Sequence, residues 1–571
     1  MSGEVVGFCD GVKGADVFGW AWRPDYPDYP VEIELWVDGA LAGETVAMLY
    51  RADLRAAGVG HGKYGWRLPL NLREQSEAVQ VVVRVKDGEP LGQGGFEYSA
   101  RPPVEDLENP EFQAFVASVL SQSSKTRPEE DAKSRAPVNF LLFCPSSPDA
   151  TSMGRSEYSY AFVMKAFKPL LEQLGRVHVV TNPATEADPL YTEHIARGET
   201  SLLLSFTPPH RTVMGLRCPS IPVVAWEFPT IPTSVWENDL RHDWRFVLRQ
   251  TGRVITLSQL AADAVQAAMG DQFPVIALPA PVWDRFPELH AVGAPAPRAE
   301  IAIDGWFYDT RGRTFPPGAA SPPMPAAPDA DEGPTPASTA TLEGAVFTSV
   351  FSPRDGRKNW LDMLGAFVTA HRDNPEATLV LKMIGPDAGL WWWELHDALA
   401  KLPPFTCRVL VAQGYMDEAQ YNALIVASHW VVNASQAEGL CLPLLEFMCA
   451  GRPAVAPAHT AMSDYIDSSN AVIVPSDEEY CGWPHDRREE LTTTRHRVSW
   501  PGLVAAFAEA YRLTVSEPAL YATLSKAARS TAKAFCEDDL VAARLDAFLG
   551  LGLELGQRTA IPSAVLTVAA A

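Results

Sequence analysis

Basic residues are scarce in this sequence of 571 residues, which has 47 lysines and arginines against 70 aspartates and glutamates. The resulting formal charge of −23 argues against a nucleic-acid partner, and against more than peripheral contact with an anionic membrane. An anionic ligand would need a locally positive pocket in such a chain.

Long apolar runs and closely paired cysteines are also lacking. No segment reaches about 18 uninterrupted apolar residues, so no membrane-spanning helix is expected. The eight cysteines show neither a CxxC pair nor zinc-site spacing, which predicts free thiols rather than a metal centre. The start, MSGEVVGFCDG, has no basic region followed by an apolar one, as a secretory signal would. We therefore expect a cytoplasmic protein.

Residues 1–101 show the alternating pattern of a small antiparallel β-sandwich. The stretch VEIELWVDGALAGETV alternates apolar and polar residues and turns at Asp38-Gly39, and VQVVVRVKDGEPL repeats this scheme. Asp-Gly pairs between such runs are strong hairpin signals. The tryptophans of this region either stack on sugar rings or fill a small core, and the core is favoured. The polar stretch 102–136, with a predicted helix at 109–122, follows as a linker.

Strands alternate with helices through most of the remaining chain, which predicts two parallel α/β domains in tandem. The first covers residues 137–283, and the second, with its closing helices, covers 345–549. Between them, 284–344 is expected to be an inter-domain segment with a disordered Pro/Ala-rich insertion, and 550–571 to be a tail. A cleft between two such domains is the default position for a ligand.

Two glutamates lie eight residues apart in the apolar stretch AEGLCLPLLEFMCAGRPAV. Glu438 is expected in the loop after a buried strand, and Glu446 one turn into the following helix, which Pro443 begins and Gly451 ends. The unpaired N–H groups at a helix start form an anion site. A carboxylate on each side suits the hydroxyl groups of a nucleotide sugar. The alternative is a capping glutamate and a surface glutamate.

A basic cluster precedes this motif in the segment SVFSPRDGRKNWLDMLGAF, which contains Arg354, Arg357 and Lys358. A diphosphate needs such a local positive charge, supplied by a guanidinium fork and an ammonium group. Taken by itself, the cluster is better explained as a solvated loop.

Together these motifs resemble the retaining glycosyltransferases of the GT-B fold, a large group often called glycosyl transferases group 1. The resemblance rests on S-x-x-EG-x-x-LPLLE-x-M-x-x-G-x-P, on the RKN loop upstream and on the segment GYMDEAQYNALIVAS. It implies a GT-B fold, two Rossmann-like domains that face a cleft, here preceded by a small all-β sandwich. It covers roughly residues 138–550 and is strong in 345–475.

The resemblance implies that the second α/β domain binds the nucleotide-sugar donor. The counterparts of Lys358 and Arg357 hold the diphosphate in such enzymes, with Arg354 as the competing arginine. Glu438 would contact the transferred sugar, and Glu446 would bind the ribose diol. The backbone along the phosphate and sugar would be that of Gly439, Leu440, Cys441 and Leu442.

The first α/β domain is the acceptor domain in this family. Gly154 stands in the first loop, where a glycine often faces the donor phosphate. Many relatives carry a histidine where this chain has Glu227, which could take over its polar role. His210 and His459 are further candidates for the acceptor and sugar site, although plain loop histidines are the alternative.

The implied reaction is transfer of a sugar from a UDP- or GDP-sugar to a glycan, lipid-linked or similar acceptor, with retention of configuration. Bacterial polysaccharide or glycan assembly is the expected setting. No DxD motif is suitably placed for a metal–diphosphate clamp, so neither a metal nor another cofactor is expected. The alternatives are another GT-B activity, namely a sugar-nucleotide epimerase or a phosphorylase, and a non-catalytic carbohydrate-binding protein.

Overall fold

The computed structural model describes residues 5–13, 16–27, 29–51, 54–55, 57–60, 62–70, 78–86, 88–98, 138–147, 158–235, 239–316, 338–385, 389–483 and 491–551. The chain divides into two compact units, Met1–Arg135 with Val235–Leu240, and Ala136–Ser234 with Arg241–Ala571. The predicted linker 102–136 with its helix, Gly154, and most of the predicted insertion and tail lie outside the described residues.

The first unit is an all-β module with one eight-stranded sheet of order β4-β3-β7-β8-β1-β2-β6-β5. Its strands are β1 (Val6–Lys13), β2 (Asp16–Trp22), β3 (Val31–Val37), β4 (Ala40–Ala47), β5 (Leu49–Tyr50), β6 (Lys63–Pro69), β7 (Val79–Val85) and β8 (Pro90–Tyr98). All neighbours pair antiparallel except β1 and β8. The predicted turn Asp38-Gly39 joins β3 to β4 with φ angles of 48° and 77°, as a tight hairpin turn requires.

The tryptophans of this module differ in burial. Trp66 is fully buried in a core with Val17, Ile33 and Val81. Trp20 and Trp22 point to the other face of β2 and are only half-buried. The alternation in the sequence therefore produces one buried apolar face, as a sandwich-like module needs.

The first α/β domain has a six-stranded parallel sheet of order β10-β9-β11-β12-β13-β14. Its strands are β9 (Val138–Phe143), β10 (Arg176–Val179), β11 (Thr200–Phe206), β12 (Ser220–Val224), β13 (Val254–Thr256) and β14 (Val275–Ala277). Its helices are α1 (Tyr158–Leu174), α2 (Pro183–Ala196), α3 (Trp244–Thr251) and α4 (Gln259–Met269). The apolar run VNFLLF forms the buried β9, as expected for a strand covered on both faces.

The second α/β domain has an eight-stranded sheet of order β16-β15-β19-β18-β17-β20-β21-β22. Its strands are β15 (Arg298–Asp309), β16 (Ser338–Glu343), β17 (Ala345–Phe351), β18 (Ala377–Met383), β19 (Arg408–Tyr415), β20 (Trp430–Val432), β21 (Ala454–Ala456) and β22 (Ala471–Ile473). Its helices are α5 (Trp360–Ala370), α6 (Gly389–Lys401), α7 (Glu418–Ala427) and α8 (Leu442–Cys449). From β19 to β22 the strands are parallel, in the Rossmann order 3-2-1-4-5-6.

The segment predicted to connect the two domains contributes to the second sheet. Strand β15 pairs antiparallel with β19, and β16 pairs antiparallel with β15. Both strands lie within residues 284–344, so part of this segment is an edge extension of the second domain.

The end of the chain forms a hairpin and three helices. The hairpin consists of β23 (Ser476–Gly482) and β24 (Thr492–Val498), and the helices are α9 (Trp500–Ser516), α10 (Pro518–Cys536) and α11 (Asp538–Leu549). Helix α11 begins next to the first α/β domain, where the Gln173 amide donates to the Asp538 side chain at 3.2 Å. The Asp538 backbone N–H donates to Oδ2 of Asp284, just after that domain, at 2.9 Å. The predicted fold class, two Rossmann-like domains preceded by a small all-β module, is confirmed.

Candidate active site

The strand order of the second α/β domain reverses between β17 and β20, and the two predicted motifs meet there. Strand β17 ends at Phe351 and leads to the loop with Lys358, and β20 ends at Val432 and leads to the loop with Glu438. Connections that leave two neighbouring strands in opposite directions open a crevice at their carboxyl ends, where open α/β sheets bind ligands. Lys358 Nζ donates to Glu438 Oε1 at 2.7 Å in this crevice.

The carboxylate of Glu438 is held by one of its two oxygens. Besides Lys358, the Asn433 amide and the Ser435 hydroxyl donate to Oε1, at 2.9 and 2.6 Å. Among the described residues, no side chain donates to Oε2. The orientation of this carboxylate is therefore fixed, while its second oxygen remains an acceptor for a further hydroxyl group.

The backbone of Glu438 is fixed as well. Its N–H donates to Thr460 Oγ1 at 3.1 Å, and its carbonyl accepts from the Ala461 N–H at 3.2 Å. Burial raises the pKa of Glu438, but Lys358, the Ser435 hydroxyl and Arg357 outweigh burial and hold the pKa at about 2. The group is consequently ionised at neutral pH.

Lys358 is positioned by a short turn. Gly356–Lys358 forms a single 3-10 turn, and Asn359 then adopts a left-handed φ of 50° to start α5. Burial lowers the pKa of Lys358, but Glu438 and Asp355 outweigh it, so the pKa is raised. Both members of the Lys358–Glu438 pair thus carry their charges.

Arg357 is bound by two carboxylates, one of them from the first α/β domain. Its Nη1 lies 2.6 Å from Glu227 Oε1, and its Nη2 lies 2.7 Å from Asp355 Oδ2. Burial lowers the pKa of Arg357, and the two carboxylates outweigh burial and raise it. Arg354, the competing arginine, is exposed in the same loop.

At Gly439 this loop passes close to the first α/β domain. A Cβ atom at Gly439 would lie 2.9 Å from the backbone nitrogen of Trp226, in the loop after β12. No side chain could be accommodated there without a shift of backbone. Gly439 thus lets the backbone of this loop lie directly against the backbone of Ala225 and Trp226.

The three residues after Gly439 lead into helix α8. The Leu440 carbonyl accepts from the Tyr465 hydroxyl at 2.6 Å. Cys441 has a left-handed φ of 66°, and the Asn433 amide, which also binds Glu438, lies 3.2 Å from its sulfur. Burial raises the pKa of Cys441 to about 12, so the thiol is neutral. Leu442 is the first residue of the helix.

Glu446 lies in helix α8 and is also buried, but its partners differ from those of Glu438. The Tyr421 hydroxyl donates to its Oε2 at 2.8 Å, and Arg285 Nη1 approaches its Oε1 at 3.4 Å. Burial raises the pKa of Glu446 more than Arg285 and Tyr421 lower it. The two motif glutamates therefore occupy environments of opposite electrostatic character.

The two candidate histidines have separate surroundings. His459 Nδ1 lies 3.3 Å from Thr460 Oγ1, so it touches the residue that fixes the backbone of Glu438. Its ring stacks on His496 at a centroid distance of 4.2 Å, and burial lowers the pKa of His459 to about 3. His210 instead accepts from the Trp244 indole at 3.2 Å, in contact with His242. His459 is thus part of the crevice, whereas these contacts tie His210 to helix α3.

The residues that hold the two glutamates in place are not among the predicted site residues. These are Asn433, Ser435 and Thr460 around Glu438, and Tyr421 and Arg285 around Glu446. A signal existed for Asn433 and Ser435, because polar residues that directly follow a buried strand lie at its carboxyl end. Arg285 belongs to a segment between the domains and carried no signal.

In the described parts of the chain, no group of three or more His, Cys, Asp or Glu side chains is arranged to hold a metal ion. Within the same residues, no helix is long and apolar enough to cross a membrane.

No protein-family model matches the sequence, and no curated protein matches it. Among solved structures, Anabaena HepE in complex with UDP is 16% identical, with a TM-score of 0.43 over 72% of this chain and 99% of its own. WaaG, a glycosyltransferase involved in lipopolysaccharide biosynthesis, is 12% identical, with a TM-score of 0.40 over 72% and 100%. A variant of S. aureus TarM, in complex with fondaparinux, α-GlcNAc-glycerol and UDP, is 10% identical, with a TM-score of 0.38 over 96% and 75%.

Proposed function

We propose that this protein is a metal-independent glycosyltransferase that moves a sugar from a UDP- or GDP-sugar to a glycan or lipid-linked acceptor in the cytoplasm, with retention of configuration. The observation that carries the proposal is the Lys358–Glu438 pair at the reversal of strand order, with one oxygen of Glu438 left for a hydroxyl group.

The arrangement suits a nucleotide sugar because it offers two carboxylates, Glu438 and Glu446, in different surroundings, together with the cation Lys358. Glu438 would take a hydrogen bond from the transferred sugar through Oε2. Glu446, at the other end of the loop, would accept from the ribose diol. The start of helix α8 adds backbone N–H groups for the diphosphate between them.

In the proposed reaction the bond between the anomeric carbon and the diphosphate oxygen breaks as the acceptor oxygen attacks from the same face. The acceptor hydroxyl gives its proton to the leaving diphosphate. Lys358 stabilises the negative charge that develops on this group, and Glu438 holds the sugar in position for attack. Positioning and charge stabilisation supply most of the rate enhancement in such a scheme.

The test is a screen of UDP- and GDP-sugars with glycan and lipid-linked acceptors in the presence of EDTA, with release of UDP or GDP as the readout. We expect transfer with one donor, retention of its anomeric configuration by NMR, and loss of transfer in Lys358→Ala. The control is Lys401→Ala, which removes a lysine from an exposed pair with Asp397 on helix α6.

Other outcomes would point to other activities. Conversion of the nucleotide sugar without any acceptor would indicate an epimerase, and release of a sugar phosphate from a glycan by inorganic phosphate would indicate a phosphorylase. Strict dependence on a divalent metal, or an inverted product, would reject the proposed mechanism. Glycan binding without turnover would leave a carbohydrate-binding protein.

A further inference from the structure

Arg357 is bound by carboxylates from two different α/β domains. Asp355 belongs to the same loop, whereas Glu227 belongs to the loop after β12 in the first domain. Both ion pairs are largely shielded from solvent, with about a tenth of the Glu227 side chain and a sixth of the Arg357 side chain exposed. Such shielding makes charge interactions stronger than at the surface.

The hydrogen-bond donors of Arg357 are almost fully committed. Nε and Nη2 donate to the two oxygens of Asp355 at 3.1 and 2.7 Å. Nη1 faces Glu227 at 2.6 Å and the Ala437 carbonyl at 3.4 Å. A guanidinium has five N–H groups, and these contacts occupy four of them. No two parallel N–H groups therefore remain for a phosphate.

The charges around Arg357 also oppose a diphosphate. One cation faces two carboxylates here, and the neighbouring Lys358 is neutralised by Glu438. A diphosphate adds at least two further negative charges. It can bind Arg357 with two parallel hydrogen bonds only if one carboxylate leaves.

Glu227 is the carboxylate that can leave at lower cost. Asp355 makes two bonds to the guanidinium and accepts the Arg357 backbone N–H at 3.2 Å, so it is part of the turn itself. Glu227 makes a single contact, and it stands on a separate domain. A small separation of the two loops would break its contact and leave Asp355 in place.

We propose that Glu227 is an internal competitor of the diphosphate, a carboxylate that occupies the position on Arg357 which the donor's phosphate oxygens take. Carboxylate and phosphate oxygens both match the guanidinium fork, so one can replace the other. Donor binding exchanges Glu227 for the diphosphate, and return of Glu227 after transfer favours release of the nucleoside diphosphate. This inference rests on the proposed function, because it assumes a diphosphate ligand.

The test measures binding of UDP, GDP and inorganic pyrophosphate to the full-length chain by calorimetry. Glu227→Gln keeps the size of the side chain and removes its charge. We expect a dissociation constant lower by roughly ten- to a hundredfold, the worth of one charge-assisted hydrogen bond. A gain in affinity cannot arise from partial unfolding.

Two further variants make the result specific. Glu199→Gln is the matched control, because Glu199 is an equally shielded carboxylate of the first domain that pairs with Arg176 at 2.8 Å, outside the crevice. It should leave the dissociation constant unchanged. In an Arg357→Ala background, Glu227→Gln should give no gain, because the competitor acts through Arg357.

The outcomes separate this inference from the proposed function. Wild-type binding of UDP or GDP with no gain in Glu227→Gln would overturn the inference and leave the proposed function standing. A gain that persists without Arg357 would overturn it too. Binding seen only in Glu227→Gln would support it, and no binding in either protein would reject both proposals.

Discussion

At the scale of single residues, the two motif glutamates are distinguished by their surroundings. Glu438 lies among donors and cations that hold its pKa at about 2, whereas burial raises the pKa of Glu446. Glu438 is therefore a fixed anion, whereas burial disfavours the charged form of Glu446. The same residue type thus meets two different environments eight residues apart.

The two glutamates should fail differently on substitution. Glu446→Gln removes a charge-assisted acceptor for ribose, which is worth about 1.5–3 kcal/mol, so free UDP or GDP should bind roughly ten- to a hundredfold more weakly. In Glu438→Gln, the three donors on Oε1 keep the amide oxygen there, so an NH₂ group replaces the free acceptor. Turnover should fall by on the order of a hundredfold through misplacement of the sugar, while affinity for the free nucleotide does not fall.

Calorimetry with free nucleotide, paired with turnover of the donor, checks both variants. Glu509→Gln is a suitable control, since Glu509 forms a pair with Arg512 on the partly exposed surface of helix α9. Equal loss of nucleotide affinity in both motif variants would mean that their roles are divided wrongly. No effect in either would mean that both buried glutamates have structural roles only.

Lys382 is a buried lysine that the proposed mechanism does not use. It lies in β18, where Nζ donates to the Gly414 carbonyl at 2.6 Å, and no carboxylate of the described residues forms an ion pair with it. Burial lowers its pKa from 10.5 to about 7. The unfolded chain therefore binds more protons than the folded chain between these values, and stability from this group is lost as the pH falls through that window.

Lys382→Met should accordingly raise the melting temperature at pH 6 by several degrees, because the cost of burying a charged group is then fully present in the wild type. The advantage should shrink as the pH rises from 7 towards 10.5. Thermal unfolding at pH 6 and pH 9 measures this difference, with the exposed Lys401→Met as control. Equal destabilisation at both values would show that the bonds to backbone carbonyls outweigh the charge.

At the scale of elements, the sequence predicts strands well where a run is buried on both faces. The apolar run AVFTSVF predicts a strand over 345–351 and forms β17 over that whole length, because a parallel strand between two layers of helices is uniformly apolar. The run PVVAWEF predicts a strand over 222–228, but β12 ends at Val224. Trp226 and Phe228 continue the apolar pattern, but they pack on Trp483 outside the sheet.

Two other elements were missed for different reasons. Strand β15 alternates polar and apolar residues in RAEIAIDGWFYD, a pattern of an antiparallel edge strand that the Pro/Ala-rich segment after it obscured. The sequence predicts one closing helix over 517–549, but this segment forms two helices, α10 and α11, with Glu537 extended between them. Asp538 and Asp539 in the first turn of α11 were the available signal for a new helix start.

The candidate site was predictable to the extent that it follows from strand ends. Lys358 and Glu438 each stand in a loop after a buried strand, so their meeting follows from the strand order. Glu227 and Arg285 come from another domain or a connecting segment, and local patterns carry no information on such contacts. The ion pair between Glu227 and Arg357 could therefore not be predicted from the sequence.

At the scale of the whole molecule, a chain with a formal charge of −23 must still offer cations to an anionic ligand. The structure supplies Lys358, Arg357 and Arg285 around the crevice, but each of them faces at least one carboxylate. The crevice therefore contains the basic residues that an anionic ligand needs, but paired carboxylates neutralise their positive charge. Departure of Glu227 from Arg357 would free the guanidinium edge that Glu227 now faces, so that a diphosphate could bind there.

The last prediction concerns independence of the two compact units. The hydrophobic core of the all-β module is formed by residues between Cys9 and Leu91, with partly buried neighbours up to Tyr98. Among the described residues, no member of this core also belongs to the cores of the α/β domains. The pairs Lys358–Glu438, Arg357–Glu227 and Arg285–Glu446 all lie within the second unit. A chain that begins at Ala136 should therefore fold and bind UDP or GDP as tightly as the full chain. Circular dichroism and calorimetry check this together. A truncated protein that is folded but has lost nucleotide binding would show that the module contributes to the site.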